Sequence, residues 1–183
     1  MRWFWNWYLK KNHWKIEGDF PFHIKKLVII VAPHTHWKDF IVGVAVRSTM
    51  KFNHVKFLGK QELFKPPFGF IFRWLGGTPV DRSSSNNLVE AVVKRFNESE
   101  ELVIALSPEG TRKRVDKLRT GFYHIARQAH VPIMMTALDF GNRKVVFSEP
   151  FYTSDNEAAD FEKIISFFRS VKGKVPEQGL MHF

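Results

Sequence analysis

Apolar and polar positions along this chain fall into blocks whose period switches between strand-like and helix-like. Residues 27–32 (Leu-Val-Ile-Ile-Val-Ala) form a continuous apolar run, long enough for a buried strand and too short for a helix. Over residues 39–50 the apolar positions Ile41, Val42, Ala45, Val46 and Met50 recur at helical spacing. A second strand is predicted at 55–59. Residues 62–77 are apolar and aromatic, broken at Pro66-Pro67 and closed by Gly76-Gly77. Asn87 reads as an N-cap with Glu90 three residues on, opening a helix to about residue 97 with Leu88, Ala91, Val92 and Phe96 inward. A short strand at 102–106 follows, then a helix marked by Phe122, Ile125, Ala126 and Ala129. Two strands at 131–140 and 144–147 turn at Gly141-Asn142. A last helix covers 157–171, with Phe161, Ile164, Ile165 and Phe168 inward and Gly173 as its stop. This alternation predicts an α/β fold, a mixed and largely parallel sheet flanked by helices.

Composition adds the choice of partner. Lys and Arg number 28 against 18 Asp and Glu, a formal charge of +10 on 183 residues, which favours an anionic partner or substrate. The absence of cysteine removes disulfides, thiolate metal sites and an acyl-cysteine intermediate. Nineteen Phe and six Trp leave two readings, a Phe-rich core or a surface among lipids. No stretch reaches the ~20 apolar residues of a spanning helix, and residues 1–18 lack the features of a signal peptide. If the N-terminus is helical, Trp3, Trp7 and Trp14 fall on one line, with Phe4 and Tyr8 beside them and Lys10, Lys11 and Lys15 nearby. Trp interleaved with Lys is a membrane-interface composition. Residues 1–20 are therefore expected to be an amphipathic interface segment and 21–183 a single α/β domain. Phe68, Phe70, Phe72 and Trp74 divide between core packing and a greasy or membrane-facing surface.

The candidate chemistry begins where the first strand ends. His34 follows that strand, and Asp39 stands five residues later. Imidazole titrates near neutrality, so His34 can take a proton at working pH. Asp39 can hold the ring in one tautomer and stabilise the imidazolium that forms. Positions five apart on a continuous helix point apart, so the pair requires His34 in the strand-to-helix loop and Asp39 in the first helical turn. An ordinary loop is the competing reading. Ligands of parallel sheets bind at the carboxyl ends of strands. His34, a turn over residues 77–82 and Glu109 all follow apolar segments and are expected to converge there.

Four segments then occur in order: His34-x4-Asp39; Gly77-Thr-Pro-Val-Asp-Arg82; Pro108-Glu109-Gly110-Thr111-Arg112; and Val131-Pro132-Ile133. Together they resemble the glycerophospholipid acyltransferase family, whose members include lysophosphatidic acid acyltransferases. Ser107 stands where that family usually has Phe, and Met134-Met135-Thr136 replaces a more usual aliphatic-Pro-Val. The resemblance implies transfer of a fatty acyl group from a thioester, acyl-CoA or acyl-carrier protein, to the hydroxyl of a lysophospholipid. The default product is phosphatidic acid, made from 1-acyl-glycerol-3-phosphate, with His34 as base and no metal or further cofactor. With the basic charge and the N-terminal aromatics, the expectation is a peripheral, monotopic enzyme on the cytoplasmic face of an anionic membrane.

Arg82 and Arg112 suit an acceptor phosphate, because guanidinium forks match phosphate oxygens; Lys60 is a third candidate. Backbone N–H groups around Glu109, Gly110 and Thr111 can receive the oxyanion, with Gly110 permitting close approach. Glu109 is left with two readings, positioning the acceptor glycerol or holding an arginine. Asp81 and Arg82 can also form a plain surface pair. The basic run 112–119 suits solvent, anionic lipid or an acidic carrier protein. His36 is expected to be a polar helix-entry residue rather than a metal ligand. Four rivals remain: an acceptor that is a non-phosphate lysolipid such as an amino-acid lipid, a basic nucleic-acid-binding module, a serine hydrolase using Ser107, and a membrane-surface scaffold whose motifs are idle. The module is opposed by dispersed charge, and the hydrolase by the missing Gly-x-Ser-x-Gly elbow.

Overall fold

The computed structural model describes residues 2–52, 54–67, 69–80 and 85–183, without the side chains of Lys60, Val80, Ser85, Asn86 and Asn87. Phe68, Asp81 and Arg82, all singled out above, lie outside the described residues. Seven strands make one sheet: β1 (Lys15–Glu17), β2 (Lys26–Ala32), β3 (Val55–Lys60), β4 (Gly77–Val80), β5 (Leu102–Leu106), β6 (Ile133–Asp139) and β7 (Lys144–Phe147). Their spatial order is β1-β7-β6-β2-β5-β3-β4. Among the described strands, only the β6–β7 pair is antiparallel. In that pair the Asp139 carboxylate accepts the Asn142 backbone N–H (3.1 Å) and side-chain amide (2.7 Å), which fixes the tight turn.

The helices are α1 (Arg2–Lys11), α2 (Lys38–Thr49), α3 (Gly69–Trp74), α4 (Ser85–Glu98), α5 (Gly121–Gln128) and α6 (Glu157–Arg169). Side chains alternate across β2 and so feed two cores. Leu27 and Ile29 pack with Val42, Ala45 and Val46 of α2 and with Leu9 and Trp14. Val28, Ile30 and Ala32 pack with Phe96 of α4, Phe122 and Ile125 of α5, and Ile164 and Phe168 of α6. Covering both faces explains why β2 and β6 read as unbroken apolar runs.

Several expectations change. Residues 77–80 are an edge strand, not a turn, and α4 starts at Ser85 rather than after Asn87. The N-terminal helix ends at Lys11, and His13 turns the chain at φ 56°. Trp14 therefore leaves the aromatic stripe and is buried edge-on against Phe140. Lys15–Glu17 pair with β7 and Phe20 is buried, so residues 14–20 belong with the α/β domain and the exposed segment shortens to α1. The aromatic run divides: Phe72 packs on Phe40 and Phe64, while Phe70 and Trp74 are exposed. α1 lies against α2, and α3 reaches α2 through the Phe72–Phe40 ring contact.

Candidate active site

The site forms where the central parallel strands β2 and β5 end side by side. β2 stops at Ala32, α2 starts at Lys38, and His34 sits in the loop between them. Asp39 occupies the first turn of α2, as the spacing requires, with only 3% of its surface exposed. One of its oxygens, Oδ2, gathers three donors: the Thr35 N–H (2.7 Å), the His36 N–H (2.8 Å) and His34 Nδ1 (3.2 Å). Asp39 thus folds the loop back on its own helix and orients the imidazole at the same time. With Nδ1 engaged, Nε2 is the ring nitrogen available to a substrate, and the His34 side chain is partly open to solvent. His36 plays the helix-entry part expected of it: its Nδ1 accepts the Lys38 N–H (3.2 Å).

Glu109 comes from the loop after β5. Both of its carboxylate oxygens are hydrogen-bonded within the protein. Oε1 accepts the His34 backbone N–H (2.8 Å), and Oε2 accepts the Ser107 hydroxyl (2.8 Å). A carboxyl group 1% exposed clamps the histidine loop to the neighbouring strand end. Burial pushes its pKa above the ordinary value, and the His34 and Ser107 hydrogen bonds partly oppose this. Ser107 is thereby a donor to Glu109, which is its partner in place of a nucleophile's.

A raised carboxyl pKa means that the fold disfavours the charged form. That cost is absent below the unfolded value of about 4.5 and grows as pH rises through the folded pKa. Glu109→Gln removes it and keeps an acceptor for His34, while Ser107 reverses to accept from the new amide. We expect Glu109→Gln to melt at or above the wild-type temperature at pH 7–8, with the gain vanishing as the pH falls below 4.5. Thermal melts across that range check this; a gain that is constant with pH would point to another cause.

Gly110 sits at φ +66°, a conformation that suits glycine, and its N–H donates to the Ser107 carbonyl (3.2 Å). A Cβ there would fall 2.5 Å from Arg119 Nε, so the Arg119 side chain lies directly against this turn. The Arg119 N–H also donates to the Pro108 carbonyl (2.9 Å), doubling the basic loop back. The Thr111 hydroxyl accepts the Lys113 N–H (3.2 Å), and Arg112 is exposed. Lys60 closes β3, the strand beside β5, but its side chain is outside the description, as is all of Arg82. Val131 and Pro132 lead into β6, where Val28 donates to the Pro132 carbonyl (3.0 Å). The fourth motif therefore supports β2 from below.

The structure thus brings His34, Asp39, Glu109, Gly110, Thr111 and Arg112 to one sheet edge. Sequence reasoning missed Arg119 as a distinct member, since it stood only as part of a basic run. It also missed residues 173–182, which run past the base of both loops. Their signal, Gly173 and Gly179 around a short polar stretch, is too generic to have been found.

The acyltransferase family model matches residues 13–138, a span that contains every motif residue named above. The chain is 28% identical over 127 residues to a 1-acyl-sn-glycerol-3-phosphate acyltransferase from Limnanthes douglasii, covering 66% of this chain and 43% of that protein. It therefore spans less than half the length of that curated relative. Among solved structures, it is similar in fold to the 1-acyl-sn-glycerophosphate (LPA) acyltransferase PlsC from Thermotoga maritima. There the TM-score is 0.61 at 15% identity, over 99% of this chain and 77% of the other.

Proposed function

The chain belongs to the acyltransferase family, and from that premise we propose that it moves a fatty acyl group from a thioester to the hydroxyl of a lysophospholipid. The observation that carries this reading is the His34 ring, held at Nδ1 by buried Asp39 and open at Nε2, beside an arginine-bearing loop. An alcohol becomes a competent nucleophile as a base takes its proton. Nε2 takes the acceptor hydroxyl's proton as the oxygen attacks the thioester carbonyl. The new C–O bond forms, the C–S bond breaks, and the proton on Nε2 passes to the leaving thiolate. Asp39 stabilises the imidazolium in between.

The Gly110 N–H is already used within its own turn, which makes the Thr111 N–H the better oxyanion donor in that loop. Arg112 and Arg119 are the cations beside the turn, and Arg82 and Lys60 are the further candidates for the acceptor phosphate. Lysophosphatidic acid fits that set best. The name of the Limnanthes relative agrees with this choice. The donor is acyl-CoA or acyl-carrier protein; no metal or other cofactor enters the scheme.

The acceptor is a membrane lipid, and we place the enzyme peripherally on the cytoplasmic surface. Trp3, Phe4 and Trp7 of α1 and Phe70 and Trp74 of α3 are exposed, and Lys11 Nζ lies 4.7 Å from the Trp7 ring centroid. No helix among the described residues is long and apolar enough to cross a membrane. Rings at headgroup depth and lysines on anionic lipid would anchor such a surface. Replacing Trp3 and Trp7 together by alanine is expected to weaken binding to anionic vesicles about tenfold or more. Co-sedimentation that shows undiminished binding would remove α1 from the anchor.

The reading as a whole is tested with the purified protein, both donor types and a panel of lysolipids that includes amino-acid lipids. Mass spectrometry should find acylated product, greatest with lysophosphatidic acid. Thioester consumption with no acylated lipid would sink it, and so would salt-sensitive nucleic-acid binding without transfer.

A further inference from the structure

The segment after α6 returns across the base of the site. Gly173 passes so close to the histidine loop that a Cβ there would lie 2.9 Å from Thr35 Cγ2 and 3.3 Å from Pro33 Cβ. The Val175 N–H donates to the buried Thr35 hydroxyl (3.1 Å). A single 3₁₀ turn, Pro176–Gln178, follows, and Leu180 then plugs into the core at 2% exposure. Beyond it, His182 Nε2 lies 2.8 Å from the Val115 carbonyl, within the basic loop. The segment is therefore anchored on both sides of Gln178.

The Gln178 side chain lies between two backbone carbonyl oxygens, those of Thr35 and Arg112. A carbonyl can only accept, so the face of the amide toward them must be its NH2. It donates to the Thr35 oxygen (3.2 Å) and to the Arg112 oxygen. The residue immediately before Thr35 is His34, the proposed base; the other carbonyl belongs to the arginine assigned above to the acceptor phosphate. These two loops come from strands far apart in sequence, and the Glu109 clamp ties them at one point. A single planar NH2 group spanning both carbonyls ties them at another.

We propose that Gln178 is a positioning residue that sets the distance between His34 and Arg112. The base must reach the acceptor hydroxyl while the arginine holds the same molecule's phosphate. The two loops therefore have to be in register for the substrate's length, and reaction rates fall steeply with misplacement. This rests on the acyl-transfer reading above.

The test is a double-mutant cycle on the full chain, with kcat and KM measured for the lysophospholipid acceptor. Gln178→Leu removes the bridge at similar size. Gln178→Glu keeps the shape but turns a carboxylate toward two acceptors. Either change is expected to lower kcat/KM for the acceptor about tenfold to a hundredfold. In an Arg112→Ala background the same change should cost little more, because the group it positions is gone. Equal losses in both backgrounds would mark a merely structural contact and overturn the proposal, as would unimpaired Gln178→Leu. Hydrogen exchange is read alongside it and needs no turnover. Loss of the bridge should deprotect residues 33–40 and 111–119 together, and unchanged protection overturns the proposal. A wild-type protein that transfers no acyl group sinks the functional reading instead, and exchange then decides the bridge alone.

Discussion

Alanine at position 34 is expected to lower acyl-transfer turnover by about a thousandfold to ten-thousandfold, with little change in melting temperature. The two halves of this expectation have separate causes. In the proposed mechanism catalysis loses the proton acceptor at Nε2, and the neighbouring imidazole of His36 is committed to the α2 entrance. Stability barely notices, because the bond from residue 34 to Glu109 is made by the backbone N–H and survives truncation. Asp39 Oδ2 also keeps two of its three donors. The ring is partly exposed, so the lost contact with Asp39 costs about 1 kcal/mol. Steady-state kinetics with product quantified by mass spectrometry, beside a thermal melt, check both halves. Added imidazole should restore part of the turnover. A variant within tenfold of wild type would mean that the proton leaves by another route.

What the sequence made legible follows from where its signals are local. His34 and Asp39 are bound to each other across one loop, so spacing alone places them. The strands β2, β5 and β6 are buried on both faces and announce themselves as apolar runs. β1 and β4 are edge strands of three and four residues, and their pairing comes entirely from distant partners, so no period marks them. Trp14 looked like a third member of an exposed stripe because composition cannot see the helix ending at Lys11. The motif led to Glu109, and the structure sets it beside the His34 loop, yet its hydrogen bonds were not legible. They depend on an N–H 75 residues away and on a serine two residues before it. Gln178 was invisible for the same reason, since an amide between two carbonyls leaves no trace in either loop's own sequence.

Asp39→Asn and Asp39→Ala separate the two jobs that one carboxylate performs. In Asp39→Ala the Thr35 and His36 N–H groups lose their acceptor in a site with almost no solvent access. Each unsatisfied buried donor costs about 1–3 kcal/mol, so this variant should lose several degrees of melting temperature as well as activity. Asparagine can keep its oxygen at the Oδ2 position and continue to accept both N–H groups. Its NH2 then falls at Oδ1, which is buried and has no hydrogen-bond partner, so a milder destabilisation remains. In the proposed mechanism Asp39→Asn nevertheless removes the charge that stabilises the imidazolium, and turnover should fall about a hundredfold to ten-thousandfold. Because Asp39 acts on the reaction through His34, the pair His34→Ala/Asp39→Asn should turn over no more slowly than His34→Ala alone. Kinetics and melts on the three variants decide between the roles. If Asp39→Asn keeps near wild-type turnover while Asp39→Ala merely unfolds, the carboxylate is a loop fastener and the imidazolium needs no counter-charge.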